Sequence, residues 1–239
     1  MAYSHGSKAA LHVNGRDYSG YLTSVSHGGS IDTAETTTLG ATAKAYIPGI
    51  RDGALTADGI YDGAADQIDA HIAAGFGSTD AVACSYLPQG DTLGNVAYIG
   101  KLHQTSYEIA TPVDGVASIT LEGQADGGLS RGVVLQSLAA KTATGNGTSY
   151  DGTASSSAGF VAALHITAAS GTTPSLTARV EHSADNSTWA TLGTFTAATS
   201  ANSSEVITGT GTVNRYLRAA WTISGTGPSF TVGVSAARK

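Results

Sequence analysis

Apolar and polar residues alternate in short runs along most of the chain, the pattern of half-buried β-strands. Leu11 and Val13 alternate with His12 and Asn14, and the Asn14-Gly15 pair that follows is a hairpin turn signal, since both residues tolerate positive φ. Between Gly53 and Tyr61, Leu55 and Ala57 share one face and Thr56 and Asp58 the other. Period-two runs recur at 81–87, 95–103, 106–110 and 116–124, with turns at Pro88-Gln-Gly-Asp91 and Pro112-Val-Asp-Gly115. One helix is expected over 63–76, with Asp62 as its N-cap, Ala64, Ile68, Ile72 and Phe76 recurring four apart, and Gly75 and Gly77 ending it. Two stretches have no period. Residues 26–44 are Gly, Thr, Ala and Asp in irregular order, and 139–159 are small and polar throughout, which reads as a linker. Beyond it, strands are expected at 176–183, 189–196, 205–207, 215–223 and 230–236.

The fold class is therefore all-β in the main: a β-sandwich with one flanking α-helix and a long arm, then a second small β-sandwich. The expected organisation is a first domain over 1–138, a linker over 139–159 and an immunoglobulin-like or jelly-roll domain over 160–239.

Composition sharpens this. Of 239 residues, 13% are charged and 31 are glycine, which suits short strands joined by tight turns. The net charge of −6 is unevenly spread: residues 1–138 hold six basic and fourteen acidic residues, a net of −8, and the remainder is at +2. A strongly acidic first part excludes a conventional nucleic-acid grip, which needs clustered Lys and Arg. The single cysteine, Cys84, excludes an internal disulfide and a cysteine zinc cage. No apolar run approaches the ~20 residues of a membrane span, and the first residues lack a signal-peptide pattern, so synthesis in a cytoplasm is expected.

Candidate chemistry is sparse. Seven histidines (His5, His12, His27, His71, His103, His165 and His182) show no metal-ligand spacing. Asp52, Asp58 and Asp62 lack the loop spacing of a calcium site, and Asp62, Asp66 and Asp69 fit a helix start. No nucleophile elbow or phosphate loop occurs. Trp189, Trp221, Tyr216 and Phe230 are expected to fill a core rather than form a sugar platform. The chain reads as no enzyme, with no cofactor.

The segment from Asp32 through Thr36-Thr37-Thr38-Leu39 and Tyr46-Ile47-Pro48 to Gly63 resembles the major tail (tail tube) proteins of siphophages, as do Tyr86-Leu-Pro-Gln-Gly90 and Thr105-Ser-Tyr-Glu-Ile109. The likeness spans about residues 8–138. The C-terminal part, with Val180–Trp189 and Val213–Arg218, resembles the add-on β-domains such proteins carry. The resemblance implies a structural subunit of the virion tail, assembled in the host bacterial cytoplasm. Copies would form hexameric rings stacked into a tube, around a tape-measure protein and with terminator and initiator proteins. DNA would pass through without specific binding. It also implies that Thr36, Thr37, Thr38, Leu39, Tyr46, Ile47 and Pro48 form an inter-subunit arm. The alternative reading is a capsid decoration or a receptor- or glycan-binding module.

Overall fold

A computed structural model describes residues 4–239. About 63% of the chain is strand and 5% helical. The strands are β1 (Ala10–Val13), β2 (Arg16–Asp17), β3 (Leu22–Glu35), β4 (Tyr46–Ile60), β5 (Val82–Leu87), β6 (Val96–Ala110), β7 (Ser118–Lys141), β8 (Gly145–Asn146), β9 (Tyr150–Asp151), β10 (Phe160–Ser183), β11 (Ala190–Thr194), β12 (Ser203–Gly209) and β13 (Tyr216–Arg238), with helix α1 (Ile68–Gly75) after β4. All pairings between named strands are antiparallel.

The Asn14-Gly15 turn forms as its residues require, with φ of 49° and 72°, and closes β1 onto β2. The alternation at 53–61 becomes the inner half of β4, where Leu55 and Ala57 are buried. These side chains meet Ile119 and Leu121 from β7, Leu11 and Cys84 from β1 and β5, and Ile68 and Ile72 from α1, which together make one core. Cys84 is buried, and burial pushes its thiol up to about 12.

The second core is built by strands that fold back on themselves. β10 and β13 pair along nearly their whole length, with register shifts between Ile166 and Ala168 and around Thr172. The bend brings Leu164 and Ile166 against Leu176 and Val180, and Phe230 and Val232 against Leu217 and Trp221. Trp221 and Phe230 are core residues, as expected. Trp189 lies under the Arg218 guanidinium at 4.1 Å, and Tyr216 beside Arg215 at 5.0 Å.

Several boundaries differ from the sequence pattern. The helix starts at Ile68 with Gln67 as its N-cap. Asp62 instead accepts from the Ala64 amide, and Asp66 takes a left-handed φ of 60°, which breaks the first predicted turn. Runs expected as separate strands at 95–103 and 106–110 are one strand, as are 215–223 and 230–236. Bulges and bends, not chain reversals, interrupt their alternation. Within the expected linker, β7 runs on to Lys141 and pairs with β13, and β8 and β9 add to the same strand. A small apolar cluster of Ala10, Leu87, Ile99, Val134, Val161 and Ala237 joins the two cores.

Candidate assembly surface

The segment expected to be irregular is a long β-hairpin. β3 pairs with β4 from Leu22↔Gly59 to Glu35↔Tyr46. β7 covers β4 only over Ala54–Ile60, because at Gly127 and Gly128 it bulges away to follow β6. Both glycines have φ near +80°, a conformation that side chains resist. Residues 46–51 and their β3 partners therefore project alone, for about 20 Å.

All seven arm residues fall at the outer end of this hairpin. Tyr46, Ile47 and Pro48 pair with Glu35, Ala34 and Thr33. Thr36 donates its amide to Ala45 O at 2.8 Å, the Thr37 hydroxyl accepts from the Ala45 amide at 3.0 Å, and Thr38 and Leu39 lie in the connecting loop. Lys44 and Glu35 pair across the tip at 3.2 Å. Apolar side chains here face solvent, Leu39 fully and Ile50 at 79%. Neither face of the arm is buried, so no alternation in the sequence marks it.

Ten large apolar residues are exposed among those described, and every one precedes residue 117. Ile31, Leu39, Tyr46, Ile47 and Ile50 lie on the arm. Ile60, Ile109, Val113 and Val116 gather at the opposite end of the same sheet, and Phe76 follows α1. Sequence reasoning missed the second group; the Pro-Val-Asp-Gly turn between two strands was its only trace.

Beside the arm root, β3, β4, the first half of β7 and the second half of β6 form a four-stranded sheet in that order. Both of its lateral edges are open among the described residues. β3 pairs with β4 alone, and β6 has no second partner beyond Leu102, where β5 ends its pairing. Open edges of this length are templates for another chain.

One face of this sheet carries Leu55, Ala57, Ile119 and Leu121 into the core. By the two-residue period, the other carries Asp58 opposite Thr120 and Glu108, and Thr56 opposite Glu122 and Ser106. Asp58 accepts from the Ser24 hydroxyl at 2.8 Å and the Thr120 hydroxyl at 2.9 Å. Asp52, further along the same face, accepts from the Gln124 amide and from its neighbour Gly53 N at 2.7 Å. No lysine or arginine occurs in 22–30, 52–60, 104–110 or 118–124, so this face is anionic. Strand register keeps Asp52, Asp58 and Asp62 apart, and each is held by hydroxyls or amides rather than gathered around a common point.

Buried polar groups concentrate between the two cores. His165 is hydrogen-bonded to the Ser85 hydroxyl at 3.1 Å, Ser85 to Ser235 at 3.2 Å, and the His12 ring meets His165 edge-on at 5.7 Å. Burial lowers the pKa of both imidazoles, and for His165 the charge of a protonated His12 lowers it further. Asp91 and Asp17 act on His12 in the opposite sense.

No family model and no curated protein matches the chain. Among solved structures, a chain in the virion of a native gene transfer agent particle matches with 17% identity, over 54% of this chain and 98% of its own, at a TM-score of 0.43. A chain from the tail of an empty gene transfer agent particle, determined with helical refinement in C6 symmetry, matches with 18% identity over 46% of this chain and 81% of its own, at 0.38. The SPP1 Dit protein, described as a paradigm of the hub adsorption apparatus in phages infecting Gram-positive bacteria, matches with 11% identity over 96% and 98%, also at 0.38. At these scores the likeness is a partial one of fold, and the functional reading rests on the chain's own surface.

Proposed function

We propose that the chain is a structural, non-catalytic subunit that self-assembles into stacked hexameric rings, forming the tail tube of a long-tailed bacteriophage. One observation carries this reading: the four-stranded sheet β3–β4–β7–β6 ends in two unpaired edges, along β3 and along residues 103–110 of β6. Pairing β3 of one copy with β6 of the next satisfies both edges at once. Repeated around a ring, it closes the sheets into a barrel and leaves no free edge.

In such a barrel the core-bearing face points outward against the rest of each subunit. Asp52, Asp58, Glu108 and Glu122 line the lumen. Their charge repels phosphate, so DNA slides past without binding. The serine and threonine hydroxyls between them keep the wall wetted. The arm carries Leu39, Tyr46 and Ile47 beyond its own ring to bury them against a neighbour. The tail location, the tape-measure core and the terminator and initiator partners follow from the same reading, supported by the sequence resemblance over residues 8–138.

Negative-stain electron microscopy of the purified chain, concentrated across a range of salt, tests it. Hollow rings or tubes are the expected result. Uniform small particles under every condition, with no rings, would count against self-assembly and favour a decoration or receptor-binding role.

A further inference from the structure

Between the arm root, the β7 bulge and the end of β13 lies an open groove of about 620 Å³, lined by Ile31, Arg51, Gly127, Gly128, Arg131 and Lys239. Lys101 borders an adjoining groove that shares both glycines and Lys239 and also holds Asp126, its cross-strand partner. Arg51, Lys101, Arg131 and Lys239 make no ion pair among the described residues, whereas Arg16, Lys44, Arg179, Arg215 and Arg218 all do. In a chain with twelve basic residues, most of the unpaired cations thus meet in one place. Asp52 at the groove's edge is already bonded to Gly53 and Gln124. The floor is bare backbone: a Cβ on Gly127 or Gly128 would meet nothing within 4 Å.

The opposite end of the same sheet is the complement. The loop 111–117 holds Asp114 between Val113, exposed at 99%, and Val116, exposed at 71%. Ile60 and Ile109 flank it, with Asp62 and Glu108 nearby in the chain. No lysine or arginine occurs from residue 102 to 130.

We infer that the 111–117 loop of one copy seats in the cationic groove of a second copy. Asp114 meets Arg51 and Arg131, and Val113 and Val116 cover Ile31 and Leu129. The inference rests on the self-assembly reading and names its axial contact. Donor and acceptor lie at opposite ends of one strand set, about ten residues or 33 Å apart along β7. Such a contact is head-to-tail, so it propagates along the strand direction instead of closing a dimer. Burying unpaired cations against a carboxylate that they can reach on a glycine floor also removes the like-charge repulsion among them.

The test uses the full chain with Val113→Cys and Leu129→Cys together. Cys84 is buried and does not compete. Mild oxidation is expected to give a ladder of covalent multimers on non-reducing electrophoresis, which neither single substitution gives. Adding Asp114→Arg should cut the cross-linked fraction about tenfold, and Arg131→Asp on top should restore it. No ladder, or a ladder indifferent to Asp114→Arg, overturns the contact. Rings in electron micrographs without a ladder overturn it while the ring reading stands; a ladder without rings leaves the contact and removes the tube.

Discussion

The two cores of this protein treat apolar surface in opposite ways. Around the second, Phe195, Phe230, Ile166, Leu176 and Leu217 are all fully buried, Leu192, Ile207 and Ile223 are half-buried, and none of the exposed apolar residues lies there. Around the first, nine of the ten exposed ones sit at the two ends of a single four-stranded sheet whose lateral edges are also open. A chain that can hide its apolar groups in one half has not failed to do so in the other. The contrast separates a core that covers its own apolar groups from a surface shaped for further copies.

The comparison breaks most sharply in the second core. Phe230→Ala removes a fully buried ring from the middle of this core. It is expected to cost about 3–5 kcal/mol of unfolding free energy, read by urea denaturation. A cost below about 1 kcal/mol would mean that this core is loosely filled and that the two halves are alike after all.

The junction between the cores supplies the next effect, and its sign can be worked out. His12 and His165 are held neutral by burial, so their folded pKa values lie below the usual histidine range of about 6.5. The unfolded chain binds protons first as pH falls, and stability is then lost. The loss is expected as pH falls from about 7.5 through the histidine range, and it is smaller for His12, where Asp91 and Asp17 oppose the shift. His165→Gln, which retains an amide donor for Ser85, should remove the larger part of this pH dependence in denaturation curves. An unchanged profile would place the acid sensitivity elsewhere.

How much of this was legible in the sequence follows the same division. Where one face is buried, as at Leu55 and Ala57 or Leu176 and Val180, alternation marked the strand. Asn14-Gly15 marked its turn because only such residues accept the required φ. Where both faces are exposed, at 26–35 and 46–52, alternation has no cause and the hairpin looked irregular. The polar stretch at 139–159 carries no strand signal for a related reason: its backbone pairs with β13, which needs no apolar side chains. The helix start was misplaced because Ala64 continues the four-residue period by coincidence while remaining exposed. The cations of the groove come from β4, β6, β7 and the end of the chain, and no spacing along the sequence joins them.

The smallest effect on stability is also the most informative. Leu39→Ser and Ile50→Ser replace apolar groups that touch little in the isolated chain, so each should change the unfolding free energy by no more than about 0.5 kcal/mol. If the arm serves neighbours, the same substitutions should abolish tubes under conditions where the unaltered chain forms them. The two readouts must therefore come apart, in contrast to Phe230→Ala, where folding and assembly fall together. Should Leu39→Ser destabilise the dilute monomer by 1 kcal/mol or more, the arm would be packing on its own chain in solution. The exposed end of the sheet would then belong to the same class as the second core.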